Sequence, residues 1–235
     1  MVPPLSSPFF RLMKISRFFL LPLLSGAALA QNPAAGLWTG EITLDKVSEV
    51  HFRQTTGATP TESAAPFTLR VLIHVDAAGA VKLLKEAVIM KTTGASPVPV
   101  IVTLPNLIPN FTGIVDRGGK LVGRRFSTAS FPMTGDSLAL GGAVAAGSTA
   151  TGTLTLPAGS PVNPSRHKYH PDLASAGVEV SRALTLSIAA GESPADHKLL
   201  GTWAETIAGL HKDAIRISGA VSLTRVSTVA TLNNQ

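Results

Sequence analysis

Apolar residues occupy every second position from Phe67 to Val75, as Phe67, Leu69, Val71, Ile73 and Val75. Successive side chains of an extended strand point to opposite faces, so this run builds one apolar face and does not suit a helix. Asp76-Ala77-Ala78-Gly79 then supplies turn residues, and the apolar pattern resumes over Ala80–Met90, which predicts a hairpin. Similar runs bounded by Gly, Pro or Asp recur at Trp38–Val50, Val98–Leu104, Phe111–Val115, Lys120–Ser127, Ser137–Ala145, Thr149–Leu156, Val178–Ala189, Leu200–Ile207 and Ile215–Val226. No window carries a long, capped helical period. The nearest is Val81–Val88, where Asp76–Gly79 before it and the apolar run to Met90 favour a strand. The expected fold is all-β: an antiparallel barrel or sandwich of about eleven strands.

Two of these segments resemble each other. Gly40–Val50 aligns without gaps to Gly219–Val229, sharing Gly, Leu, Val, Ser and Val, with Ile/Val, Thr/Ser and Lys/Arg exchanges. An offset of 179 residues is far longer than a solenoid repeat. The reading favoured here is that the first and last strands occupy equivalent places in one sheet. Their pairing would close a barrel and remove its edges.

The first thirty residues read as an export signal rather than as part of this fold. Lys14 and Arg17 form a basic region, Phe18–Leu24 begins an apolar one, and Ala28-Leu29-Ala30 is a small-x-small cleavage triplet before Gln31. Met13 stands where such a signal normally starts, so residues 1–12 read as an upstream start-site extension. The apolar run is shorter than the ~20 residues a spanning helix needs. Residues 31–235 are then a single β domain in a secreted or periplasmic protein.

Charge and composition exclude several functions. The formal charge is +6, but residues 1–30 hold Arg11, Lys14 and Arg17 and no acid, so 17 basic and 14 acidic residues remain, a charge of +3. These charges are dispersed, and Tyr169 is the only tyrosine, which does not make the basic, aromatic-laced face of a nucleic-acid binder. With no cysteine there is no disulfide, no thiolate metal site, no thiol nucleophile and no lipid attachment after the signal. An outer-membrane barrel would carry aromatic girdles, and aromatics are only 5% here. No transmembrane segment is expected beyond the signal.

The densest polar cluster is Asn163-Pro164-Ser165-Arg166-His167-Lys168-Tyr169-His170-Pro171-Asp172. Its prolines make it an ordered loop. His167, Tyr169, His170 and Asp172 are the candidate binding residues. Imidazole and carboxylate suit zinc, so His167, His170 and Asp172, completed by His51 or His211, form an alternative metal site. On extended backbone, however, histidines at i and i+3 point apart, which favours a structural loop without a metal. No cofactor is expected.

Other motifs are weaker. Ser165-Arg166-His167-Lys168 has the Ser-x-x-Lys spacing, but Pro171 ends any helix, Lys91-Thr92-Thr93-Gly94 misses the companion motif, and no Ser-Asp-Asn occurs. Gly113–Lys120 imitates a phosphate loop, with Leu121 where Ser or Thr is required. Asp116-Arg117-Gly118-Gly119 reads better as a hairpin turn. His74 and Asp76 share a strand face and suggest an ion pair at the strand end. Asn110-Phe111-Thr112 is a glycosylation sequon, meaningful only in a eukaryotic secretory pathway.

Gly36-Leu37-Trp38-Thr39-Gly40-Glu41, the His167-Lys168-Tyr169-His170-Pro171-Asp172 loop and the Gly219–Val226 strand together resemble an uncharacterised group of secreted bacterial β-rich domains. The resemblance spans nearly all of residues 31–235 and implies export and a β fold, but no activity. The group's loop carries further His and Asp after Pro-Asp. Here Leu173-Ala174-Ser175 follows, which weakens a metal site. Gly36-Leu37-Trp38 and Arg225 are also similar to lipocalin-like barrels, in which a Gly-x-Trp opens the first strand and a late Arg packs over it. That likeness implies an apolar cavity, although the chain lacks the helix that follows a lipocalin barrel and is longer.

Three functions follow as expectations. The leading one is an exported, non-enzymatic β domain serving as a binding or envelope and adhesion module. The alternatives are a metal-dependent hydrolase centred on His167, His170 and Asp172, and a barrel carrier of an apolar ligand. The partner is a protein, a glycan or a small apolar molecule.

Overall fold

The computed structural model describes residues 31–48, 60–115, 121–128, 132–166, 177–211 and 213–233. Fourteen strands are present among them: β1 (Gly36–Ser48), β2 (Pro60–Val75), β3 (Val81–Leu84), β4 (Glu86–Lys91), β5 (Pro99–Val102), β6 (Ile114–Val115), β7 (Leu121–Val122), β8 (Arg124–Ser127), β9 (Ser137–Gly142), β10 (Thr149–Leu156), β11 (Val180–Ile188), β12 (Lys198–Ala208), β13 (Ile215–Ser227) and β14 (Leu232–Asn233). Eight of them close an antiparallel barrel in the order β1-β13-β12-β11-β10-β9-β3-β2. Each barrel strand neighbours the next one in the chain, except that β4–β8 are inserted between β3 and β9. The barrel reading therefore holds over the sandwich. The first and last barrel strands pair, from Leu37↔Ser227 to Val47↔Ile217.

Alternation decides which side chains fill the interior. Trp38, Ile42 and Leu44 of β1, Leu69, Val71, Ile73 and Val75 of β2, Leu154 and Leu156 of β10, Leu184, Leu186 and Ile188 of β11, and Val221 and Leu223 of β13 are buried in one core. The intervening positions carry Thr149, Thr151, Thr153 and Thr155 on β10, and Thr202, Ala204 and Thr206 on β12, all exposed. An apolar interior inside a hydroxyl-bearing wall is the reverse of a barrel whose outer face meets lipid. Phe67, first of the alternating run, pairs with Leu44 beside the irregularity in the β1–β2 register and is exposed.

The predicted hairpin after β2 is present. The Asp76 carboxylate accepts from the amides of Ala78 at 2.9 Å and Ala80 at 2.8 Å, and β3 pairs back onto β2. The predicted strand over Ala80–Met90 is two strands. The chain bends at Lys85, whose carbonyl accepts from the Thr128 amide and hydroxyl, and it leaves the barrel for a second sheet ordered β14-β5-β4-β8. That sheet lies on the outer face of the barrel. Leu37, Leu72 and Leu84 point outward from the barrel and pack with Ala87, Ile89 and Ile101. A 3-10 turn over Pro105–Asn110 then covers the far side of the sheet, where Leu107 and Ile108 pack against Val88, Met90, Val100 and Val102.

Candidate functional site

His167, Tyr169, His170 and Asp172 lie outside the described residues, as does His51. What is described of the histidine loop is a turn organised by Asn163. Its buried side-chain amide reaches the carbonyls of Leu156, Pro157 and Val178 at 3.0, 3.0 and 2.8 Å, while its oxygen accepts from the Ser165 amide at 2.7 Å. Asn163 thereby ties the end of β10 to the start of β11. His211 is exposed in the β12–β13 connection and accepts from the Asp213 amide at 3.2 Å. Among the described residues no group of three His, Asp or Glu side chains is arranged to hold a metal.

The remaining sequence candidates resolve as follows. His74 and Asp76 do not form the expected strand-end ion pair. Asp76 caps its own turn, and His74 is buried with Nε2 3.2 Å from the Val229 carbonyl oxygen. The strands flanking Asp116–Gly119 pair antiparallel, Ile114↔Val122 and Val115↔Leu121, as a hairpin requires, although the turn itself lies outside the described residues. Arg225 sits over Trp38 with its guanidinium carbon 4.6 Å from the ring centroid, the arrangement implied by the Gly-x-Trp likeness. It donates to the carbonyls of Ala35 and Pro194, so it also ties two connecting segments to this end of the barrel.

Two features were not singled out from the sequence. The first is a charged cluster inside the barrel. On β12, Trp203 and Glu205 share the inward parity, and Glu205 accepts from Trp203 Nε1 at 2.7 Å. Arg182 of β11 meets the same carboxylate through Nε at 2.8 Å and Nη2 at 2.9 Å. The carboxylate is fully enclosed, while the Arg182 side chain retains 11% exposure. A fork against a carboxylate pairs both oxygens, so this is a satisfied structural cluster. The signal was available, since a glutamate stood on the same strand face as Leu199, Trp203 and Ile207.

The second feature is a trough on the outer wall. Outward positions of β13 are small, Ser218, Ala220 and Ser222, whereas β1 and β2 on one side carry Glu41 and Arg70 and β12 on the other carries Leu200. The resulting open depression has a volume of about 580 Å³ and is lined by Thr39, Thr43 and Thr224 as well. It continues past Ala220 into a second depression of about 400 Å³ bordered by Asp45, Lys46, Thr202 and Ala204. At about 3.3 Å per residue, Ser218 to Thr224 makes a run of roughly 20 Å.

Fold and surface together define an up-and-down eight-stranded barrel with an apolar core, an accessory sheet and a hydroxyl-lined outer trough. The chain matches no protein-family model and no curated protein. Among the described residues no helix is long and apolar enough to cross a membrane.

Proposed function

We propose that this is an exported, non-enzymatic binding module of the bacterial envelope or its surroundings, and that it binds through the outer trough along β13. The observation that carries this reading is the trough itself. It is open, extended and lined by threonine and serine hydroxyls, with one acid and one base near each end, Glu41 with Arg70 and Asp45 with Lys46. Such a surface suits an extended, largely neutral polymer rich in hydroxyls, such as a glycan strand. The interior supports the wall over the lumen as the binding surface: Trp38, Trp203 and the leucines around them are buried there in one packed cluster. Export rests on the signal-like residues 1–30.

Ala220 lies in both depressions and is exposed, so Ala220→Trp fills the trough without entering the core. The test is affinity electrophoresis of residues 31–235 through gels containing dextran, xylan or hydroxyethylcellulose. The parent protein should be retarded in at least one gel. The variant should migrate freely there with its melting temperature unchanged. Equal migration of both proteins in every gel would refute a glycan-binding trough.

A further inference from the structure

After β13 the chain crosses the outside of the barrel as a strap. Val226, Val229 and Leu232 pack beside Leu37, Leu72, Leu84 and Ile101. Beyond that packing the strap is held lightly. β14 pairs with β5 in parallel over only Leu232↔Ile101 and Asn233↔Val102, with the Thr103 amide donating to the Asn233 carbonyl at 3.3 Å. The Asn233 side-chain amide also donates to the Ile101 carbonyl at 3.4 Å, and a further anchor is His74 on the outward face of β2. It is 2% exposed, with Nε2 3.2 Å from the Val229 carbonyl oxygen.

The surroundings of that ring are specific. On β1 the residue in register is Leu37, on β3 it is Lys82, and Asp76 follows at the end of β2. The strap contributes Ala230, Thr231 and Leu232, none of them charged. A depression of about 240 Å³ beside the ring is lined by His74, Asp76, Lys82 and these strap residues, and it is open to solvent. Among the described residues, then, one cation and one anion face the imidazole. The anion is already engaged, accepting from the Ala78 and Ala80 amides.

We propose that His74 is an acid-sensitive latch that holds the C-terminal strap, residues 227–233, against the barrel when neutral and releases it when protonated. The neutral ring donates its Nε2 hydrogen to Val229 and leaves no charge in the buried layer. A second proton places a cation there, beside Lys82. Burial pushes the His74 pKa below the ordinary histidine value; the Val229 bond and Asp76 oppose this, and Lys82 adds to it. Lifting the strap lets water reach the ring, so the proton and the strap compete for the same side chain.

The direction follows from linkage. The closed form binds the proton more weakly than the open one. The strap is therefore held most firmly above about pH 6.5, and its hold weakens as pH falls from there towards the depressed closed-form value. Over that window the open population rises by up to about tenfold per pH unit. Release removes the part of the cover over Leu37, Leu72 and Leu84 that Val229 and Leu232 provide, and frees the β5 edge that β14 occupied.

The test is hydrogen exchange of residues 31–235 at pH 7.5 and 4.5, read by mass spectrometry and corrected for intrinsic rates. Peptides covering 226–233 should lose protection between the two pH values while barrel peptides keep theirs. Fluorescence of the buried Trp38 and Trp203 should stay constant, showing that the barrel is intact. His74→Gln keeps a donor for Val229 without titrating and should abolish the pH effect. Lys82→Gln keeps the histidine, removes the facing cation and should weaken the effect. Equal strap protection at both pH values, the same loss in His74→Gln, or loss of the tryptophan signal in the same step would each overturn the latch.

Discussion

Breaking the ion pair inside the barrel should reveal which of its partners depends on the other. Glu205 has no exposed side-chain surface, and Arg182 supplies its two-pronged partner at 2.8 and 2.9 Å. Arg182→Met leaves the enclosed carboxylate without its cation, with the Trp203 indole at 2.7 Å still donating to it. Removing one member of a buried pair costs about 3–5 kcal/mol, because the remaining charge is uncompensated. For a domain of this size that is a fall of about 6–20 °C in melting temperature. Glu205→Gln should cost less, about 1–3 kcal/mol, since the amide oxygen still accepts from Trp203 and the Arg182 side chain, unlike the carboxylate, retains some exposure to water. The double variant Arg182→Met/Glu205→Leu removes both charges, and it should lie above Arg182→Met alone. Urea unfolding at pH 7, followed through tryptophan fluorescence, measures all three. Equal costs for the two single variants, or a double variant at their sum, would refute the argument that an uncompensated buried carboxylate sets the penalty.

Arg225→Lys should cost about 1–2 kcal/mol by thermal melting. A lysine cannot cover the Trp38 ring while reaching both the Ala35 and Pro194 carbonyls. An unchanged melting temperature would show the guanidinium to be replaceable. Gly40→Ala places a methyl 2.3 Å from Leu223 Cδ2 and 3.0 Å from Val71 Cγ2, an overpacking worth about 1–3 kcal/mol. Adding Leu223→Val should return part of that loss in chemical denaturation, and strict additivity of the two would deny the contact.

Strands whose periodicity is set by one buried face were legible. Thr149–Leu156 has the bounds expected from the sequence, and Leu69 to Val75 face the core as their alternation required. Legibility failed where a second layer acts. Leu72 and His74 stand on the outward parity of β2 and read as solvent-facing, yet the accessory sheet and the strap bury both. The break at Lys85 was invisible because both halves of Ala80–Met90 are strand, and only the change of sheet separates them. Pro60 to Pro66 lacked any alternation. It joins β2 because Lys46 to Ser48 of β1 still find partners there, across an irregularity that begins after Leu44. β14 is two residues long, too short to carry a period. The trough was unreadable for a related reason: it depends on which strands lie beside β13, and no run along the chain records that.

The likeness between Gly40–Val50 and Gly219–Val229 has a physical origin in the seam that closes the barrel. The first five residues of each segment are antiparallel partners centred on Ile42↔Val221, so Gly40 faces Leu223 and Leu44 faces Gly219. Each strand supplies a glycine where the other supplies a leucine, and a slip of one residue would break both matches and turn each strand's faces over. At Gly40 the space is taken by Leu223 itself. At Gly219 the partner backbone takes it, since a side-chain carbon there would lie 1.8 Å from the Thr43 carbonyl oxygen. β13 thus runs close against β1 on the inside while showing Ser218, Ala220 and Ser222 on the outside. A strand of small residues makes the wall thin at the seam, and the trough follows that strand. The relief of the wall along β13 is the surface that the proposed glycan strand would follow.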